Sequence, residues 1–462
     1  WTHRRWSICH RPQIMSHNIR FRVLTAYTAP SFATALPTIP IYIYLPTLYG
    51  VHLELGLAIT GVILLLARLI DTLTDPIIGI LSDRFGYKNN HRKPWITSGA
   101  LIAGLGIYKL LHPDVDVTVL YLLVWSIVLY IGWTMLVVPY FAWGAELSSD
   151  YYERTRITSY REGIGILGIL AAGAIMATVT NVGWSETESI GLLAWITIAA
   201  GALTIPFLLA IVPDAEIIRD KRSKPKKYDL ISSTKSLLAN KLFLRLLSAW
   251  FLNGIANGIP AVLFFLYLDT FLGATETQRA LYVVLYFGST VLTMPLWPHL
   301  SNLIGKHKVW CWAMVTASIS FLCVIFLPEG SFVYFGIVCV ITGMCLGADL
   351  SLPPSIQADV VDYDTLKFKN RRTGLLFSLW GMGTKFALAI SVGFAFPILE
   401  LLNFDPNNPS SEGKIFLVVI YALVPVVLKI VTIGIIWRFP FDANRHQSVM
   451  RRLTSLQARA HE

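Results

Sequence analysis

The sequence predicts an all-α, polytopic membrane protein, and three observations carry that expectation. First, 55% of the 462 residues are hydrophobic and only 14% are charged, with a mean hydropathy of +0.59. A soluble domain carries about 25% charged residues, so this chain has too little charge to cover a water-facing surface. Second, apolar runs of membrane-spanning length recur along the whole chain. Third, basic residues cluster in every second loop. Disorder, collagen and a disulfide scaffold are excluded by 12% aromatics, 32 glycines and 5 cysteines.

Twelve apolar segments are expected, at 23–47, 56–82, 95–111, 118–145, 158–181, 190–212, 241–269, 279–301, 308–327, 331–357, 373–401 and 414–438. Each approaches or exceeds the ~20 residues a helix needs to cross the hydrocarbon core. Loops after odd-numbered segments hold residues such as His52, Asp114 and Glu186. Loops after even-numbered ones hold Arg84, Lys88 and Arg92, then Arg154, Arg156 and Arg161, then a run from Arg219 to Lys241, then Lys306 and Lys308, then Lys367 to Arg372. The positive-inside rule makes that richer side cytoplasmic, with both termini there. The formal net charge of +10 is therefore read as a topology signal with some pull toward anionic lipid, not as a nucleic-acid signal. The cysteines (Cys9, Cys311, Cys323, Cys339, Cys345) show no metal or redox spacing and read as packing residues. Residues 1–14 differ in character from the rest of the chain, so translation is expected to start at Met15. The first apolar run is too long for a cleavable signal core.

The expected organisation is a basic extension (1–19), a six-helix bundle (20–212), a charged cytoplasmic linker (213–240), a second six-helix bundle (241–438) and a basic tail (439–462). The halves echo each other. Gly79-Ile-Leu-Ser-Asp83-Arg84-Phe-Gly86 follows segment 2, and a related stretch ending in Gly305 follows segment 8. Glu146 to Tyr151 follows segment 4, and Asp359-Val-Val-Asp362-Tyr363 follows segment 10. Two related six-helix halves around a midplane site fit a secondary transporter. The Gly-x-x-x-Asp-Arg-x-Gly loop resembles the signature of the major facilitator superfamily, where it latches the halves. Asp83, Arg84 and Gly86 of that loop, with Glu146 at the start of the second echo, are gate candidates.

Charges inside apolar segments need a partner or a task. Segment 2 carries Arg68, Asp71 and Asp75. Asp71 and Asp75 are four residues apart on one helical face, so a shared proton or a bound cation would relieve their repulsion. Pro76 frees the Thr72 carbonyl as a further hard oxygen. The alternative is a structural bridge from Arg68. Lys385, deep in segment 11, either pairs with a segment 2 carboxylate or donates to a solute. Arg161 either anchors segment 5 or points into the cavity. Asp349 is an isolated acid on segment 10, while Asp269 and Lys429 are expected at interfaces.

From about Arg20 to Arg438 the chain resembles the glycoside–pentoside–hexuronide:cation symporters, a melibiose permease-like branch of the major facilitator superfamily. The carriers are Arg68-Leu-Ile-Asp71-Thr-Leu-Thr74-Asp75-Pro76, Pro139-Tyr140, the stretch from Asp150 to Arg161, and Ala358-Asp359-Val-Val-Asp362-Tyr363 with Lys385 downstream. The resemblance implies cation ligation by Asp71, Asp75, Thr74 and Thr134. It implies solute contact or charge-network roles for Arg161 and Lys385, and gating by Asp359 and Asp362. It also shows departures: segment 1 has no acid, Val137 stands where segment 4 would carry one, and Phe141 stands in place of a stacking Trp. Carboxylates bind sugar hydroxyls strongly, so bare Lys385 and Arg161 would suit an anionic solute. Asp349 is a further candidate contact, and Trp133, Phe141 and Trp380 are candidate wall residues.

The expectation is a cation-coupled symporter of the inner membrane. It would take Na⁺ or H⁺ as coupling ion, with Asp71 and Asp75 as metal ligands if the ion is Na⁺, and a sugar-like or anionic organic solute. It would need no cofactor, bind membrane lipids and act as a monomer. An uncoupled facilitator or exporter, or a transporter of lipid-like solutes, is the alternative. An enzyme is not expected, because no nucleophile–base set or metal motif is present.

Overall fold

The computed structural model describes residues 19–85, 92–113, 117–213, 236–402, 404 and 410–461. Met15, Cys9, Gly86 and most of the expected linker lie outside them. The described residues form helices and connecting turns. Spans α2 to α6 are Leu57–Arg84, Lys93–Leu111, Val119–Glu146, Tyr151–Asn181 and Glu186–Ile211. In the second half α7 is Lys241–Leu272, α9 is Lys306–Ile325, α10 is Phe332–Phe368, α11 is Thr373–Leu401 and α12 is Ser411–Ile436.

Their starts follow from side-chain caps. Asp150 accepts from the Tyr152 and Glu153 amides to open α5. Ser185 with Glu188, and Thr275 with Gln278, form reciprocal caps at the starts of α6 and of the helix that opens at Glu276. Asn240 caps α7 and Ser410 caps α12.

Three expected segments differ in shape. The first is not one helix: α1 covers Phe21–Ala35, and π turns at Pro40–Tyr44 and Leu48–His52 come after it. Pro37, Pro40 and Pro46 withdraw the backbone donors that a continuous helix needs. The eighth, α8, bends by 53° between Glu276–Thr293 and Leu296–Ile304, where Pro295 sits. The tenth runs to Phe368, beyond its expected end at 357, because its last acids are buried in ion pairs rather than solvated in a loop. The basic tail is also helical, as α13 (Ala443–His461), and packs on α10 and α5.

In the first half α1 packs on α5 and α6, α2 on α4, and α3 on α4 and α6. In the second, α7 packs on α11 and α12, α8 on α10, and α9 on α10 and α12. The halves meet mainly where α2 lies against α11 and α5 against α10. The α2–α11 approach needs Gly79, since a Cβ there would fall 2.5 Å from Ser378 Oγ and 2.7 Å from the Gly374 carbonyl.

Candidate functional site

One turn of α2 places Asp71 and Asp75 side by side, 1% and 3% exposed. They face the protein interior and not lipid. Lys385 of α11 reaches both, with Nζ at 2.7 Å from Asp71 Oδ2 and 2.8 Å from Asp75 Oδ2. Thr134 of α4 lies 3.0 Å from Asp71 Oδ1 and 2.9 Å from Asp75 Oδ1. Its hydroxyl carries one proton, so it donates to one carboxylate at a time. Arg68 also reaches Asp71, at 3.3 Å, while its guanidinium lies over the Tyr42 and Tyr130 rings at 4.3 and 4.6 Å. The structural bridge and the shared carboxylate pair thus coexist. Thr74 departs from its expected role: its hydroxyl donates to the Asp71 backbone carbonyl at 2.9 Å and makes no hydrogen bond to either carboxylate.

The two cations expected to be bare both have acidic partners. Lys385 is held as above. Arg161, on α5, pairs with its neighbour Glu162 and lies over the Phe141 ring, 4.0 Å from its centroid. Beside it the Tyr140 hydroxyl donates to the Tyr27 carbonyl at 2.6 Å, the Tyr27 hydroxyl donates to the Tyr140 carbonyl at 3.2 Å, and Ser31 bonds Tyr140. Glu162 on α5 thus supplies a carboxylate beside Arg161, although the chain lacks the acids that the family pattern has on segments 1 and 4. Trp380 stacks on Trp250 at 4.6 Å, and Trp250 Nε1 donates to Thr384. Trp133 packs against the apolar core of the first half, on a different cluster from Phe141 and Trp380.

Asp349, a candidate solute contact by sequence, lies buried in a polar network. One of its oxygens accepts from Trp310 Nε1 at 2.6 Å, and the other accepts from Asn257 at 2.9 Å and faces Lys429 at 3.5 Å. Lys429 is not interfacial: it is 1% exposed and donates to Asn253 and Asn257. Asp269 is half-exposed and pairs with Arg279.

The basic-loop end of the molecule is closed by charge. Arg92 donates to Asp83 and Glu146, both at 2.8 Å, and to Ser82. Burial opposes its charge, but the Glu146 and Asp83 carboxylates outweigh that and hold its pKa above the ordinary arginine value. Asp83 also accepts from the Gly374 and Leu375 amides at 2.8 and 2.9 Å, so α2 caps the N-terminus of α11 across the halves. Arg84 is exposed at the last residue of α2. Arg154 of α5 reaches Asp359 at 3.1 Å and Asp362 at 2.7 Å on α10, as expected for acids bridging to bases of the other half. Lys306 and His446 complete that group, with His446 Nε2 3.0 Å from Asp362. Thr158 donates to the Ser351 carbonyl, and Thr155 bonds Ser355 at 2.9 Å.

In the sequence Arg92, Lys306 and His446 stand out only as basic-loop and tail residues. A signal for two of them is present. Arg92 precedes Glu146 by 54 residues and Lys306 precedes Asp359 by 53, so each half carries the same base–acid pair. His446 left none, because the tail's path across the α5–α10 ion pairs is a tertiary fact.

A profile described as MFS/sugar transport protein matches residues 26–443. The human sodium-dependent lysophosphatidylcholine symporter 1 is 22% identical over 448 residues, covering 88% of this chain and 81% of that protein. A protein of Escherichia coli strain K12 named for glycoside/cation symport, YagG, is 23% identical over 389 residues, covering 81% and 82%. Among solved structures, the proton:xylose symporter XylE with bound 6-bromo-6-deoxy-D-glucose aligns with a TM-score of 0.67 at 12% identity, covering 91% of this chain and 96% of that one.

Proposed function

Because the chain belongs to the MFS/sugar transport family, we propose that it is a cation-coupled symporter whose ion site is Asp71, Asp75 and Thr134. The family and its symporter relatives make it a multi-pass membrane transporter and not an enzyme. The observation that carries the finer reading is Lys385 spanning both carboxylates. Its ammonium sits where a small cation would sit, as a tethered counter-ion. An incoming Na⁺ or H⁺ neutralises the carboxylates and releases Lys385. A released ammonium then offers its charge to a solute beside Arg161, Phe141 and Trp380. Cation and solute thereby favour the same state, which is the thermodynamic requirement for coupling. The release also removes a bond between α2 and α11, hence between the halves.

A polar organic solute, sugar-like or carrying an acidic group, suits this arrangement. Arg161 is already balanced by Glu162, so one new positive charge appears per cation bound. The basic-loop end is the cytoplasmic face in this reading, and the closure of that end makes the described conformation outward-facing.

The test is uptake into liposomes with imposed Na⁺ or H⁺ gradients. The solute panel should contain a neutral glycoside, a uronate and a lysophospholipid. One class of solute should accumulate with one gradient, and Asp71→Ala and Asp75→Ala should each abolish accumulation. Cation-dependent accumulation surviving in both variants would defeat the ion-site assignment. Uptake indifferent to either gradient would favour a facilitator.

A further inference from the structure

A groove of about 630 Å³ opens on the basic-loop end between the start of α7, the end of α10 and the tail helix α13. Four cations from these elements line it, Lys241, Lys367, Arg445 and Arg452, together with Tyr363 and Phe441, and Lys367 lies over the Tyr363 ring, 5.7 Å from its centroid. Lys367 donates to the Ala239 carbonyl at 3.0 Å and Arg445 to the Pro440 carbonyl, which fixes both heads at the rim. Among the described residues none of the four forms an ion pair with a carboxylate, and the Lys241 and Arg452 side chains make no hydrogen bond. Four like charges converging on one cavity repel each other until an anion enters.

The position of the groove says which anion. Lys241 is the first residue of the α7 span, so the groove lies where the apolar core begins. Leu238, 68% exposed, precedes α7, and the exposed Leu456 lies one turn beyond Arg452 on α13. A phosphate among the cations would therefore have apolar side chains beside it for a hydrocarbon tail. Basic pockets between spans on the cytoplasmic side bind lipid headgroups. We propose that this groove binds the phosphate headgroup of an anionic membrane phospholipid. The same phosphate chemistry would admit free phosphate, but only a lipid also uses the apolar flank. The proposal needs the chain to sit in a membrane and does not depend on the coupling ion or the solute.

Phosphatidylglycerol retention is read by native mass spectrometry on the full chain released from nanodiscs. The double variant Lys241→Gln/Arg452→Gln removes two side chains without hydrogen-bond partners, so folding is expected to survive. Thermal unfolding of the same sample checks this. Affinity for phosphatidylglycerol should fall about thirtyfold, roughly fivefold per basic residue. Arg20→Gln, an exposed basic residue at the start of α1, should change nothing. Equal losses in Arg20→Gln would reduce the effect to general surface charge and overturn the proposal. So would unchanged retention in the double variant. Displacement of the lipid by inorganic phosphate, with stabilisation by phosphate alone, would make the occupant a soluble anion and also overturn it.

Discussion

Asp71 and Asp75 were legible as a pair from their four-residue spacing alone, and burial at a helix face followed from the cost of charge in hydrocarbon. For Lys385, more than three hundred residues away, the sequence left two readings open, a carboxylate of segment 2 or a solute; spacing could not say that it would reach both carboxylates at once. The same limit made Arg161 look bare, since Glu162 is its sequence neighbour and adjacent helical residues point in different directions. Only its rotamer brings the carboxylate to the guanidinium. The Thr74 hydroxyl is taken up locally, by a backbone acceptor three residues back. If Lys385 is the tethered counter-ion, Lys385→Ala should raise apparent cation affinity by about tenfold or more, because a close competing charge is removed. It should also uncouple solute uptake from the gradient. Cation titration of the purified variant, by Na⁺-dependent thermal shift or by pH, reads this. Unchanged affinity would mean that the ammonium does not compete.

Helix α2 carries its contacts with the second half along one side: Asp71 and Asp75 at mid-span, Gly79 at the close approach, and Asp83 at its end. Opposite it, α11 presents Lys385, Ser378 and the Gly374–Leu375 amides in the same order. The two helices are held by charge at the middle and by a cap at the end, with glycine setting their separation. Gly79→Val would place branched carbon where 2.5 Å separates a Cβ from Ser378 Oγ. Overpacking of this kind costs about 1–3 kcal/mol, enough to shift a two-state equilibrium. The variant should open the basic-loop end, so that an impermeant maleimide labels a Ser82→Cys reporter faster than in the parent. Ser82 is fully buried in the closed form. Equal labelling rates would show that this contact does not set the conformation. The glycine was visible in the sequence as part of a motif, but its partner helix was not.

At the scale of the molecule, hydropathy foretold the order of the helices, because the bilayer imposes length; against the twelve spans expected, ten helices among the described residues, or eleven with the bent pair, are long and apolar enough to cross a membrane. The breaks in the first and eighth segments were written in their prolines, but a run of apolar residues masks them. The helical tail was unreadable, since its apolar face has no partner until α10 and α5 are in place. Closure of one end by α5 against α10 gives a direct test of rocking halves. Thr155→Cys with Ser355→Cys joins positions whose hydroxyls are 2.9 Å apart. Oxidation of the pair should stop transport, and reductant should restore it, in liposomes under an imposed gradient. Full transport with the cross-link formed would exclude separation of α5 from α10 during the cycle.

The duplicated base–acid pair has a further consequence for the cost of parting the halves. Glu146 is shared between Arg92 of its own half and Arg371 from the other at 3.5 Å, and Asp359 is shared between Lys306 of its own half and Arg154 from the other. Stripping a buried charge of its sole partner costs about 3–5 kcal/mol. Neither acid would suffer that if the halves parted, because each retains a companion in its own half. Arg154, whose carboxylate partners Asp359 and Asp362 both lie in the other half, has no such companion, so the cost of separation would fall on that one guanidinium.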